Sequence, residues 1–301
     1  MAVISREAGV FPSGHSRLSL IVIAVLAGVV TGMAVTVAGP LLVSAFILAI
    51  AFGVLVLRSP VAAIALLVGL ATVLPFGVIP MGLGPITLGL VEVSLILVLT
   101  LGIALWMMDR TTALPVGGEL AFWFLFAGFL VFAFLLGIQH GYTPDTMHNF
   151  AKFGLGVLMF PATLYFVRDV ASANRIVALI SAGTGVAAVI GLALYAGGAS
   201  FTERALSRLI PYGYPSGRIV RFIEDDPSRA MRAVGTSIDP NAFGGLLMIG
   251  FVLAVGQLVI RRRALSVPVA LGIAAATGLA MLLTYSRGAW VGAAAGVIVV
   301  L

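Results

Sequence analysis

Arginine is the residue whose placement in this chain asks for chemistry. Arg287 lies in Thr284-Tyr285-Ser286-Arg287-Gly288-Ala289-Trp290, between two strongly apolar runs with almost no loop. A charge so close to hydrocarbon is costly and marks a functional position, unless it snorkels to the interface beside Trp290. Arg232 stands just upstream of Asp239-Pro240-Asn241-Ala242-Phe243. Asp239 suits a helix N-cap and Pro240 a first helical residue. A guanidinium beside that helix start adds to the positive end of the helix dipole, so it needs an anion or a carboxylate such as Asp239 or Asp226. The chemistry both arginines suit is bidentate recognition of phosphate or carboxylate. Arg229, Asn241 and Ser286 are their neighbours and the supporting candidates. Glu92 and Lys152 stand near the ends of two other apolar runs, as an ion pair, as helix-end charges or as pocket residues. His140 and His148, with Asp145 between them, are eight apart and lack a second ligand pair, a weak metal signal; interfacial histidines are the simpler reading.

The elements that must position these residues are membrane helices. Of 301 residues, 61% are hydrophobic and 9% charged, against about 25% charged in an ordinary soluble domain. Mean hydropathy is +1.19. No single packed core absorbs that much apolar surface, and several runs approach the ~20 residues needed to cross a bilayer. The fold class expected is an all-α polytopic membrane protein, since a barrel would show short alternating segments. There is no cysteine, which excludes disulfides, thiol nucleophiles and cysteine-ligated metal. No P-loop, HExxH or GxSxG is present.

Ten runs are read as helices. Seven fall within 18–196: about Leu18–Ala38, Leu41–Leu57, Val61–Ile79 (with a kink at Pro75), Leu90–Met108, Glu119–Ile138, Phe150–Val167 and Ile176–Ala196. After an outer loop at 197–239 come Pro240–Ile260, Ala264–Tyr285 and a run from Gly288 still apolar at Leu301. The last has fourteen visible residues, short of the ~20 a span needs, so the sequence is expected to stop inside that helix. With residues 1–17 cytoplasmic, Arg6, Arg17, Arg58, Arg110, Arg168, Arg175 and Arg261–Arg263 all fall inside, while the turns at Gly39, Pro80–Gly89 and Gln139–Asn149 carry no Lys or Arg. The positive-inside rule selects that orientation.

The 197–239 loop then faces outward with six arginines and five acids. It reads either as a solvated, nearly neutral loop or as an anion-binding face. Ser200-Phe201-Thr202-Glu203 has capping-box spacing, and Phe201, Ala205, Leu209 and Ile210 recur at helical intervals, as in a short amphipathic helix on the membrane surface. Tyr212 and Tyr214 sit in a turn-like Pro211–Pro215 segment, at the interface or against a sugar ring.

Two stretches together carry a resemblance: Arg232-Ala233-Val234-Gly235 leading into Asp239-Pro240-Asn241-Ala242-Phe243, and Thr284-Tyr285-Ser286-Arg287-Gly288-Ala289 one helical hairpin later. In this order and layout the chain resembles the O-antigen ligase and O-antigen polymerase superfamily of bacterial inner-membrane proteins. The resemblance implies a membrane glycosyltransferase fold. It implies a donor glycan on undecaprenyl diphosphate, and transfer on the periplasmic side to lipid A–core or a growing glycan. It implies no nucleotide sugar and, for the ligases, no required metal. No cofactor is expected, and the net charge of +6 reads in a membrane protein as topology, so nucleic acid is not an expected partner. The family's diphosphate-holding role falls on Arg287 and Arg232. The catalytic base is expected in a larger loop beyond Leu301, and neither His140 nor His148 matches its position. The alternative is a transporter or flippase with Glu92 and Lys152 as pathway charges. It would show internal repeats and paired broken helices; no clear repeat is visible.

Overall fold

A computed structural model describes residues 54, 59–77, 89–108, 117–167, 169–260 and 263–301. Contacts divide the chain into two compact units, Met1–Val56 and Leu57–Leu301, and every described residue except Val54 belongs to the second. The expected helices over Leu18–Ala38 and, Val54 apart, Leu41–Leu57 lie outside the described residues. So do Arg6, Arg17, Arg58, Arg110, Arg168, Arg261, Arg262 and the Pro80–Gly89 turn up to its last residue.

The described part is mostly helical: α1 (Pro60–Val73), α2 (Leu90–Met108), α3 (Gly118–Gly137), α4 (Pro144–Phe166), α5 (Val170–Ala196), α6 (Gly198–Ser207), α7 (Pro240–Val259), α8 (Val267–Leu283) and α9 (Arg287–Val300). A two-stranded antiparallel ribbon, β1 (Arg221–Phe222) with β2 (Met231–Arg232), stands between α6 and α7. Among the described residues four stretches are long and apolar enough to cross a membrane: Leu90–Met108, Gly118–His140, Val170–Ala196 and Pro240–Val259. Val61–Val73, Val267–Leu283 and Arg287–Val300 are shorter apolar helices.

Side-chain caps move several boundaries from those expected. Thr143 accepts from the Thr146 amide at 3.2 Å, with Pro144 in the first turn, so α4 starts six residues before Phe150 and takes in Asp145 and His148. Asp169 accepts from Ser172 N at 2.6 Å, so α5 starts at Val170 rather than Ile176 and Arg175 is helical. Pro75 does not kink α1: the helix ends at Val73, before the proline whose ring would clash with the preceding turn. Pro161, in contrast, is carried inside α4.

α7 is central, packing against α5, α8 and α9, and α5 also packs on α1 and α8. Small residues let the backbones approach. Phe243 is wholly buried, its ring against Gly191 of α5 and against Gly235. α2 joins α1 to α4, and the Trp123 indole N–H of α3 donates to Val157 O of α4 at 2.8 Å. Phe122, Phe124, Phe126, Phe129 and Phe132 of α3 are all exposed, the surface a lipid-facing helix presents.

The 197–239 segment is folded onto the helices rather than being a solvated loop. Leu206, Tyr214, Ile219 and Val234 are buried with Phe76 and Leu194 in one apolar cluster, while Ala233 enters the α5–α7–α8–α9 cluster. α6 begins at Gly198 with no side-chain cap, so Ser200 does not start it. Its buried face is Thr202 and Leu206, and Phe201 is exposed. Thr202 turns inward because its hydroxyl donates to Leu194 O at 2.7 Å, in the last turn of α5 where helical carbonyls lack partners. Tyr214 is likewise a core residue, 3% exposed, its ring edge-on to Phe76 at 5.2 Å; Tyr212 stays exposed.

Candidate anion-binding site

The site is assembled where β2, the start of α7 and the α8–α9 turn meet. β2 is stitched to the end of α8: Ala233 N donates to Leu283 O at 2.8 Å, and Arg232 Nε donates to Thr284 O at 2.8 Å. Arg232 Nη2 donates to Asn241 Oδ1 at 2.8 Å, in the first turn of α7. Asp239 does not pair with Arg232. It caps α7, accepting from Asn241 N at 2.7 Å and Ala242 N at 3.1 Å. Asp226 is engaged with Ser228 and Arg229. Both carboxylates proposed from sequence as partners of Arg232 are therefore in use elsewhere, and no carboxylate among the described residues lies in ion-pair contact with it. Its two partners are neutral, so the charge stays uncompensated.

Arg287 is the first residue of α9 and exposed. Ser286 is its N-cap residue, 6% exposed, and makes no side-chain cap bond, so the first-turn amides of α9 stand beside Arg287 as a positive helix end. The turn before it is fixed from several sides. Thr284, wholly buried, donates through its hydroxyl to Met281 O at 2.6 Å and accepts from Ser286 N at 3.2 Å. Trp290 donates its indole N–H to Met281 O at 3.2 Å, so it pins the turn instead of anchoring only to the interface. Tyr285 has φ 53° and Ile238, immediately before the α7 cap, φ 65°. For a β-branched residue that conformation is strained, and both strained residues flank the partners of Arg232. Strain held by surrounding bonds is typical of positions fixed for a purpose.

Beyond the ribbon, the charges sort themselves. Arg229 pairs with Glu224 at 2.7 Å and Asp226 at 3.7 Å, and Arg218 with Asp225 at 3.3 Å. Bonds from the Ser228 amide and hydroxyl hold the Asp226 carboxyl below the usual carboxylate range. Arg229 therefore closes the ribbon's tip and does not join Arg232. At the base of the ribbon, Arg221 stands directly opposite Arg232. Burial pushes the Tyr214 hydroxyl up to about 12, against the opposing pull of the Arg221 charge.

Asn241 and Ser286 thus gather with Arg232 at this junction, and Arg287 stands three residues past the carbonyl that Arg232 holds. Glu92 and Lys152 form their own ion pair, at 2.7 Å, between α2 and α4. That pair is separate from the bonds Arg232 makes to Thr284 and Asn241. His140, exposed in a short 3-10 turn after α3, and His148 on α4 belong to different elements. Among the described residues no group of three or more His, Cys, Asp or Glu could hold a metal.

Sequence reading missed the ribbon, the Thr284 carbonyl and the place of Arg221. The signal available was Asp225-Asp226-Pro227-Ser228, turn punctuation between two short stretches that read as a hairpin. No family model, curated protein or solved structure matches the chain.

Proposed function

We propose that this chain is a multi-pass bacterial inner-membrane transferase. It moves a glycan from undecaprenyl diphosphate to lipid A–core or to a growing glycan on the periplasmic side, as an O-antigen ligase or polysaccharide polymerase. In this reading the N-terminus is cytoplasmic, the chain contributes ten helices to a glycosyltransferase-like fold, and the 197–239 segment faces the periplasm. The observation that carries it is the Arg232 guanidinium, which donates to Asn241 Oδ1 and to the carbonyl of Thr284, three residues before Arg287 at the start of α9, with no acid among the described residues in ion-pair contact with it.

The chemistry follows from charge. An acceptor hydroxyl attacks the anomeric carbon of the donor, the bond from that carbon to the diphosphate oxygen breaks, and undecaprenyl diphosphate leaves with the bonding pair. The hydroxyl proton passes to a general base, a role this reading gives to no residue of the chain. Negative charge grows on the leaving diphosphate, and preorganised donors aimed at growing charge lower the barrier. Arg232 and Arg287, with the first-turn amides of α9, are such donors.

The test is surface polymer in the native host carrying Arg287→Ala as its only copy. Loss of polymer, with the protein still inserted and folded and lipid-linked glycan accumulating, is the expected result. Normal polymer would remove Arg287 from the mechanism. A second reading, transport of a lipid-linked or small solute, draws on the half-buried Glu92–Lys152 pair. Counterflow of labelled solute in proteoliposomes, abolished by Glu92→Gln, would favour it.

A further inference from the structure

Arg221 and Arg232 face each other across the ribbon in register. Directly opposed residues of an antiparallel pair project from the same face, and like charges placed so are destabilising. Among the described residues no ion pair relieves them: the acids at the tip are taken by Arg218 and Arg229, and Asp239 caps α7. Arg232 holds two neutral acceptors. The Arg221 Nε is buried without a hydrogen-bond partner, and so is the hydroxyl of Tyr214, which is 97% buried (3% exposed). Buried donors left unmet, beside two like charges, describe a place that a multivalent oxygen anion completes.

We propose that Arg221 and Arg232 form a two-sided clamp for one phosphate-type oxyanion, with Arg221 an additional ligand-binding residue. The clamp rests on the functional reading above for the diphosphate that fills it. Arg232 presents the fork edge not used by Thr284 and Asn241, and Arg221 closes on the anion from the facing strand. Charge-assisted bonds of this kind are shorter and stronger than bonds between neutral groups. Removal of Arg221 therefore weakens anion binding, and it also relieves repulsion in the empty protein. A merely structural arginine would do neither.

The experiment titrates inorganic pyrophosphate calorimetrically into the full chain in phosphatidylcholine nanodiscs, with thermal melts on the same samples. Wild type is expected to bind and to melt higher with pyrophosphate. Arg221→Gln is expected to bind about tenfold or more weakly and, without pyrophosphate, to melt at or above wild type. Arg218→Gln, already paired at the tip, is expected to bind as wild type. If Arg221→Gln does not fold, Arg221→Lys keeps the charge but loses the fork, and is expected to bind measurably more weakly. Replacing part of the phosphatidylcholine by phosphatidylglycerol separates the sources: competition with pyrophosphate marks a lipid headgroup in the clamp, and its absence marks a free or lipid-linked diphosphate. Pyrophosphate affinity unchanged in Arg221→Gln, or no binding by wild type, would overturn the clamp. Glycan transfer absent while binding still depends on Arg221 would overturn the functional reading and leave the clamp standing.

Discussion

At the residue scale the decisive fact is that Arg232 is oriented by groups that do not neutralise it. Asn241 and the Thr284 carbonyl fix the guanidinium plane and leave its charge for a ligand. Asn241→Asp should convert that arrangement into a closed ion pair. The variant is expected to melt higher than wild type, because an acid in the first turn of α7 also suits the helix dipole. It is expected to lose pyrophosphate binding and glycan transfer by about tenfold or more. A variant that melts higher and keeps full transfer would mean the charge of Arg232 is not used. Of this site, Arg232, Asn241, Ser286 and Arg287 were legible in the sequence, because a charge between apolar runs and a cap-like Asp-Pro are local signals. Arg221 was not, because its importance comes from a cross-strand register that no local pattern announces. Tyr214 was misread for the same reason: its apolar neighbours, Phe76 above all, are distant in sequence.

At the element scale the site depends on how closely α7 approaches the α8–α9 turn. A Cβ on Gly244 would stand 2.9 Å from Ser286 Cβ, 3.0 Å from Thr284 Oγ1 and 3.1 Å from Ala289 Cβ. Gly244→Ala is therefore expected to cost about 1–3 kcal/mol in thermal melts and to shift the start of α9 that carries Arg287. Gly245→Ala meets nothing within 4 Å and should be neutral to stabilising, by up to about 1 kcal/mol; equal behaviour of the two would contradict this packing. Helix starts also make a pH prediction. Asp169 caps α5, and bonds from Ser172 hold its carboxyl below the ordinary 3.8. A depressed folded value means the cap's contribution is complete above 3.8 and is lost as pH falls through the lower folded value. The difference in melting temperature between wild type and Asp169→Ala should be constant near neutral pH and close on acidification below 3.8. A difference that persisted there would assign the cap to something other than the ionised carboxylate. α7 was legible to within a residue, since Asp239 and Pro240 are unambiguous start signals. The starts of α4 and α5 were not: Thr143 and Asp169 cap polar first turns that hydropathy assigns to loops.

At the scale of the whole molecule, four helices among the described residues are long and apolar enough to cross a bilayer, and long apolar runs are what a sequence shows most plainly. The fold of 197–239 was the least legible part, because burial there uses short apolar pieces from distant segments and a threonine turned inward toward a helix end. The chain has no native cysteine, so single cysteines report orientation cleanly. Arg218→Cys is expected to react with a membrane-impermeant maleimide in intact spheroplasts, and Arg263→Cys only after lysis; the reverse pattern would invert the orientation proposed above. The central claim is that Arg232 and Arg287 stabilise a departing diphosphate, and reconstitution addresses it most directly. Purified protein in proteoliposomes would be given lipid-linked glycan and acceptor from the native host, and release of undecaprenyl diphosphate measured for wild type, Arg232→Gln, Arg287→Ala and Gly245→Ala. Release by wild type and Gly245→Ala, with neither arginine variant above background, is the predicted result. Release at wild-type rates from both folded arginine variants would contradict the account.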